Sequence, residues 1–137
     1  MEILIVIGLI GILAAAFIIY INPAKQLSRA RDGHRKSDFQ QIRSALELYR
    51  ADCGNYPSDT GNIIAPSGSG LTSTCTGSTI TYMQKVPTDP KSDGAYWYDV
   101  NASGGYGMAV CLENNDDPDG ASHPTCPSRW VYTVYNP

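Results

Sequence analysis

Between Ile3 and Ile21 the sequence carries no charged side chain. That lack excludes an ordinary amphipathic surface helix, and at about 1.5 Å of rise per residue the run just spans a hydrocarbon layer of about 30 Å. It reads as a membrane helix. A cleaved signal peptide would open on basic residues and close on a small-residue cleavage site, whereas this run opens on Glu2, so the segment is expected to be retained. Histidine is also scarce. His34 lies in a basic stretch and His123 beside a proline, neither with a nucleophile, a carboxylate pair or a ligand cluster at a matching position. No enzyme and no cofactor are expected. Cysteine is missing from the first 52 residues, which places every thiol in the second part of the chain.

Those four thiols, Cys53, Cys75, Cys111 and Cys126, are even in number and set among Gly, Ser, Thr and Pro, the usage of an oxidising compartment. Three pairings are open. Cys53 with Cys75 and Cys111 with Cys126 is favoured, because each pair closes a loop lacking a strong secondary-structure signal and worth about 3 kcal/mol of closure. A zinc site from Cys111, His123 and Cys126 is the alternative, but it lacks a fourth ligand and the short paired spacing of structural zinc.

Charge is distributed unevenly around a net of −3. Residues 25–50 hold seven basic side chains against three acids, and residues 51–137 three basic against nine acids. Basic residues beside a membrane segment ordinarily mark the cytoplasmic side. Disulfides point the other way.

Along the chain, Phe39, Ile42, Ala45, Leu46 and Tyr49 recur at three- and four-residue steps, one face of a helix. The spacing predicts one long helix of about 50 residues, loosened near Pro23 and ended by Cys53-Gly54-Asn55. Glycine and proline punctuate residues 54–94, and with nine Tyr and two Trp the second half reads as strands and turns. Residues 95–100, 106–113 and 130–135 are aromatic or β-branched runs, expected as an antiparallel sheet of about three strands. Tyr106, Met108, Val110 and Leu112 share one face, which should meet the helix together with Trp97 or Tyr98 and Val131 or Tyr132. The fold class is therefore α+β. Residues 1–24 form a hydrophobic membrane or filament-core helix, and 25–137 a head made of an amphipathic helix (25–53), loops (54–94) and a sheet with a disulfide loop (95–137).

The run Glu2-Ile3-Leu4-Ile5-Val6-Ile7-Gly8-Leu9-Ile10-Gly11-Ile12-Leu13-Ala14-Ala15, with Asn55-Tyr56-Pro57 and Val86-Pro87-Thr88-Asp89-Pro90 further on, resembles the type IV pilin and pseudopilin superfamily. In that family the mature chain begins four residues before the conserved acid, after a prepilin peptidase removes a basic leader; here Met1 directly precedes Glu2, so Met1 is not given the role of the methylated terminus. The helix-kinking proline of the family also falls a turn earlier than Pro23. The resemblance implies a pilin-like fold and a structural subunit of an extracellular type IV pilus-like helical homopolymer, a cell-surface fibril of the kind used in adhesion. Its partners would be further copies of itself and an assembly platform, with storage in the inner or cytoplasmic membrane before assembly. A pseudopilin of a type II secretion or DNA-uptake system and a monomeric membrane-anchored binding domain are the alternatives.

Assembly residues follow from that resemblance. Glu2 would pair with the terminal amine of a neighbouring subunit, Gly8 and Gly11 would let apolar helices approach closely, and Pro23 would mark the break. The basic stretch from Arg29 to Arg43 is read as a partner surface for acidic neighbours, and nucleic acid is not expected on it because Asp32 and Asp38 interleave and no aromatic platform accompanies it. Glu113, Asp116, Asp117 and Asp119 form an oxygen-rich loop of the kind that coordinates calcium, and some secretion pseudopilins hold a structural calcium in the corresponding loop; these four are candidate ligands. Asn101-Ala102-Ser103 is a candidate glycosylation sequon, and the segment Ser67 to Thr81 a candidate for O-linked sugar.

Overall fold

The computed structural model describes residues 2–59, 64, 68–91, 96–126 and 130–136 of the chain. Met1, Ser67 and Ala95, which figure in the readings above, lie outside the described residues.

Two helices stand where one bent helix was expected: α1 spans Glu2–Ile21 and α2 spans Pro23–Cys53. The chain turns by 55° between Glu2–Ile18 and Pro23–Cys53. The cause is local. Asn22 takes a left-handed conformation (φ 48°), which ends α1, and caps α2 by accepting the Lys25 N–H on its side chain. Pro23, at the first turn of α2, loses nothing by lacking an N–H there. Gly54, at φ 78°, closes α2 by donating its N–H to the Arg50 carbonyl, a left-handed cap that suits glycine.

Beyond α2 the loop region contributes a hairpin of β1 (Leu71–Ser73) and β2 (Ile80–Met83). The main sheet is antiparallel in the order β3 (Trp97–Val100), β4 (Tyr106–Cys111), β6 (Trp130–Tyr135) and β5 (Ala121–Ser122). Its three longer strands are the three aromatic and β-branched runs, and β5 adds a short edge drawn from the disulfide loop.

Register decides which aromatic faces the helix. Tyr98 pairs with Met108, and Met108 with Val134, so these three point inward with Tyr106 and Val110. Trp97 falls on the outer face beside Ala109. Against this layer α2 presents Phe39, Ile42, Ala45 and Leu46, all buried. Phe39 meets Tyr96 edge-on with ring centres 5.2 Å apart, and Tyr56 meets Tyr106 in the same way at 4.7 Å. Tyr82 of β2 packs on Tyr49, which anchors the small hairpin to the C-terminal end of α2. Leu112 is buried as expected.

Candidate functional site

Every described side chain of α1 is exposed, including Ile3 at 77% and Ile5 at 72%. No other described residue covers this apolar cylinder. A Cβ built on Gly8 or Gly11 would meet no atom within 4 Å, so the head's own packing places no demand for glycine at either position. Glu2 lies at the free end of the cylinder, exposed in the first turn of α1. Among the described residues no single helix is long and apolar enough to cross a membrane, while α1 and α2 taken together as a bent pair satisfy length and composition.

The N-terminal half of α2 holds the second feature, a buried ionic junction. Asp32 and Arg35 are almost fully buried, and they extend the apolar stripe upward at the same three- and four-residue steps. Arg35 binds Asp89 through two parallel bonds, Nε to Oδ2 at 2.8 Å and Nη2 to Oδ1 at 2.7 Å. Its Nη1 reaches Asp32 at 2.7 Å and Glu113 at 2.9 Å. Asp32 in turn accepts the backbone N–H groups of Glu113 and Asn114. One guanidinium thus joins α2, the loop before β3 and the loop after β4. Burial opposes its charge, but the hydrogen bonds it donates to Asp89, Asp32 and Glu113 outweigh that and raise its pKa. Hydrogen bonding to Arg31, ahead of the opposing effect of burial, brings the Glu113 carboxyl down to about 2.

Further out, Lys36 Nζ sits between Asp117 Oδ1 at 2.6 Å and Asp119 Oδ2 at 2.7 Å, and Lys25 Nζ holds Asp116 at 2.8 Å. Arg31 engages both oxygens of Glu113. Four cations of α2, Lys25, Arg31, Arg35 and Lys36, find their acids within the chain and so do not stand free for acidic neighbours. Trp130 completes the closure by donating its indole N–H to the Asp117 carbonyl at 3.0 Å. Its ring lies so close over Gly120 that a Cβ there would come within 2.0 Å of the indole nitrogen, which is why a residue without one occupies the position.

The geometry of this loop bears on its fitness for calcium. Calcium takes six to eight oxygens converging at about 2.3–2.6 Å. Here the carboxylates of Glu113, Asp116, Asp117 and Asp119 turn to three separate groups of cations, and at most two of them approach a common point, which the Lys36 ammonium fills. Among the described residues no group of three or more His, Cys, Asp or Glu is arranged to hold a metal ion. The residues present do not fit the ion.

The disulfides join Cys53 to Cys75 and Cys111 to Cys126, the favoured pairing. Bonding Cys111 to Cys126 removes the thiolates on which the zinc alternative rested. Asn101 sits exposed in the β3–β4 turn, where its Oδ1 accepts the Gly105 N–H at 2.8 Å and the Ser103 hydroxyl at 3.2 Å.

Sequence reading missed Asp32, Arg35 and Asp89 as a unit. The signal was present for the first two, since 32, 35, 39, 42, 46 and 49 form one helical stripe; for Asp89, remote in sequence, none was.

No curated protein and no solved structure matches the chain. The family model described as type II secretion system (T2SS), protein G, matches residues 22–125, a stretch holding α2, both disulfide loops up to Thr125 and the ionic junction. Proteins of this family are membrane-associated pseudopilins with a structural role. A long N-terminal helix on an antiparallel sheet, with this match over more than half of its length, means that the chain belongs to the type II secretion system protein G family within the type IV pilin-like superfamily.

Proposed function

We propose that this chain is a structural subunit of a helical pseudopilus of the type II secretion kind, stored in the cytoplasmic membrane through α1 and then polymerised by packing α1 against the same helix of other copies. The observation that carries this reading is the uncovered apolar length of α1, whose side chains gain nothing from the head and must be taken out of water by lipid or by a second helix. Small residues Gly8 and Gly11 suit the second cover, because they permit close backbone approach. Glu2, as the acid on the apolar helix, would take the amine of a neighbouring subunit and set axial register. The head would decorate the outside, and no reaction is assigned to it.

The family match favours this secretion pseudopilus over the surface pilus that the resemblance first implied. Electron microscopy of filaments sheared or extracted from producing cells, with mass spectrometry of their subunit and its first residue, is the test. Thin helical filaments built from this chain are expected. A chain that remains monomeric in the membrane fraction while filaments form without it would make α1 a mere tether.

A further inference from the structure

We propose that the acidic loop of this head, residues 113–119, is a metal-free clasp in which Lys36 serves as the resident cation, so that the head closes and holds its shape without calcium. The composition of the loop invites the opposite expectation, with four carboxylates in Glu113, Asp116, Asp117 and Asp119. Four cationic side chains of α2 face them, Lys25, Arg31, Arg35 and Lys36, and every one of the four acids is engaged.

Position matters more than the balance of charge. Asp117 and Asp119 aim one oxygen each at the same ammonium, and the Asp119 N–H donates to the same Asp117 Oδ1 at 3.0 Å, which sets the loop into a tight turn around Lys36. A divalent ion entering there would have to expel Lys36 and leave it unpaired beside the ring of Tyr132, over which its Nζ sits at 5.5 Å from the centroid. Glu113 is not available as a further ligand, since both of its oxygens are taken by guanidinium groups that also tie it to the buried junction. Asp116 faces Lys25 on the far side of the loop. The remaining closure comes from groups that need no ion: the Trp130 indole on the Asp117 carbonyl and the Cys111–Cys126 disulfide.

The test is thermal unfolding of the full chain in detergent, wild type and Lys36→Gln, each with EDTA and with calcium chloride at matched ionic strength. Wild type is expected to melt at one temperature in both solutions, and Lys36→Gln to melt about 4–8 °C lower in EDTA. Lys36→Arg, which keeps a cation between the two aspartates, should melt closer to wild type than Lys36→Gln does. A wild-type melting point that drops in EDTA and returns with calcium would overturn the proposal, and so would a Lys36→Gln variant that melts like wild type in EDTA. Because the clasp lies wholly within the head, its melting reads separately from filament assembly.

Discussion

Arg35 and Asp89 meet side on, guanidinium fork to carboxylate, with both side chains almost completely out of solvent. The pair crosses 54 residues of sequence and ties the middle of α2 to the loop that feeds β3. Replacing Arg35 by Met would leave Asp32 and Asp89 buried with only backbone donors for company. Such a loss is worth about 3–5 kcal/mol, far more than an exposed ion pair. Urea unfolding of Arg35→Met followed by tyrosine fluorescence should show an unfolding free energy lower by that amount; a loss below about 1 kcal/mol would mean that the junction is solvated.

Acid should open the same junction from its other end. The Glu113 carboxyl titrates near 2 in the folded chain against an ordinary value of 4.5, so the unfolded chain takes up its proton first as pH falls. Its contribution is fully present above pH 4.5, declines below that, and is gone once pH passes about 2. A melting-temperature series across this window should slope downward toward acid in wild type and run flatter in Glu113→Gln, which should also melt lower at neutral pH. Equal slopes in the two proteins would dissociate Glu113 from the acid response.

Tyr106 presents the reverse situation, a polar group that the fold does not use. Its ring is essential filling between Tyr56 and Tyr98, but its hydroxyl is buried without a hydrogen-bond partner among the described residues, and burial pushes its pKa up to about 12. Tyr106→Phe keeps the ring and removes the stranded oxygen, so stability should hold or rise by about 1 kcal/mol. A loss of more than that on calorimetry would reveal a partner for the hydroxyl.

Much of this fold was legible in the sequence because its signals are local. The apolar stripe Phe39, Ile42, Ala45, Leu46 and the alternation Tyr106, Met108, Val110 each identify an element and the face it buries. The inward choice of Tyr98 over Trp97 was not legible, because neighbours of similar character differ only by strand register. The strand β1 was not legible because Leu71–Ser73 is short and follows serine and glycine. The partners of the loop 113–119 were not legible for a different reason. Its acids are conspicuous in sequence, but the cations that answer them lie some eighty to ninety residues earlier, on a helix whose charges read as a surface for other subunits.

The assembly reading makes its sharpest demand on α1, where a single substitution can separate polymerisation from folding. Glu2→Ala and Gly11→Leu both alter exposed positions of α1, away from the described core of the head, so the head should unfold at the wild-type temperature in each. Their effects on filaments should differ in kind. Without its carboxylate, Glu2→Ala loses the charge expected to meet a neighbouring amine, and subunits should remain in the membrane fraction. Gly11→Leu keeps that charge but inserts a bulky side chain where small residues let helices approach, so assembly should fall through crowding and recover in Gly11→Ala. Filament yield by electron microscopy, normalised to membrane-held subunit on immunoblots, reads both. Wild-type yield from Glu2→Ala and Gly11→Leu together would mean that α1 anchors this protein without building the polymer.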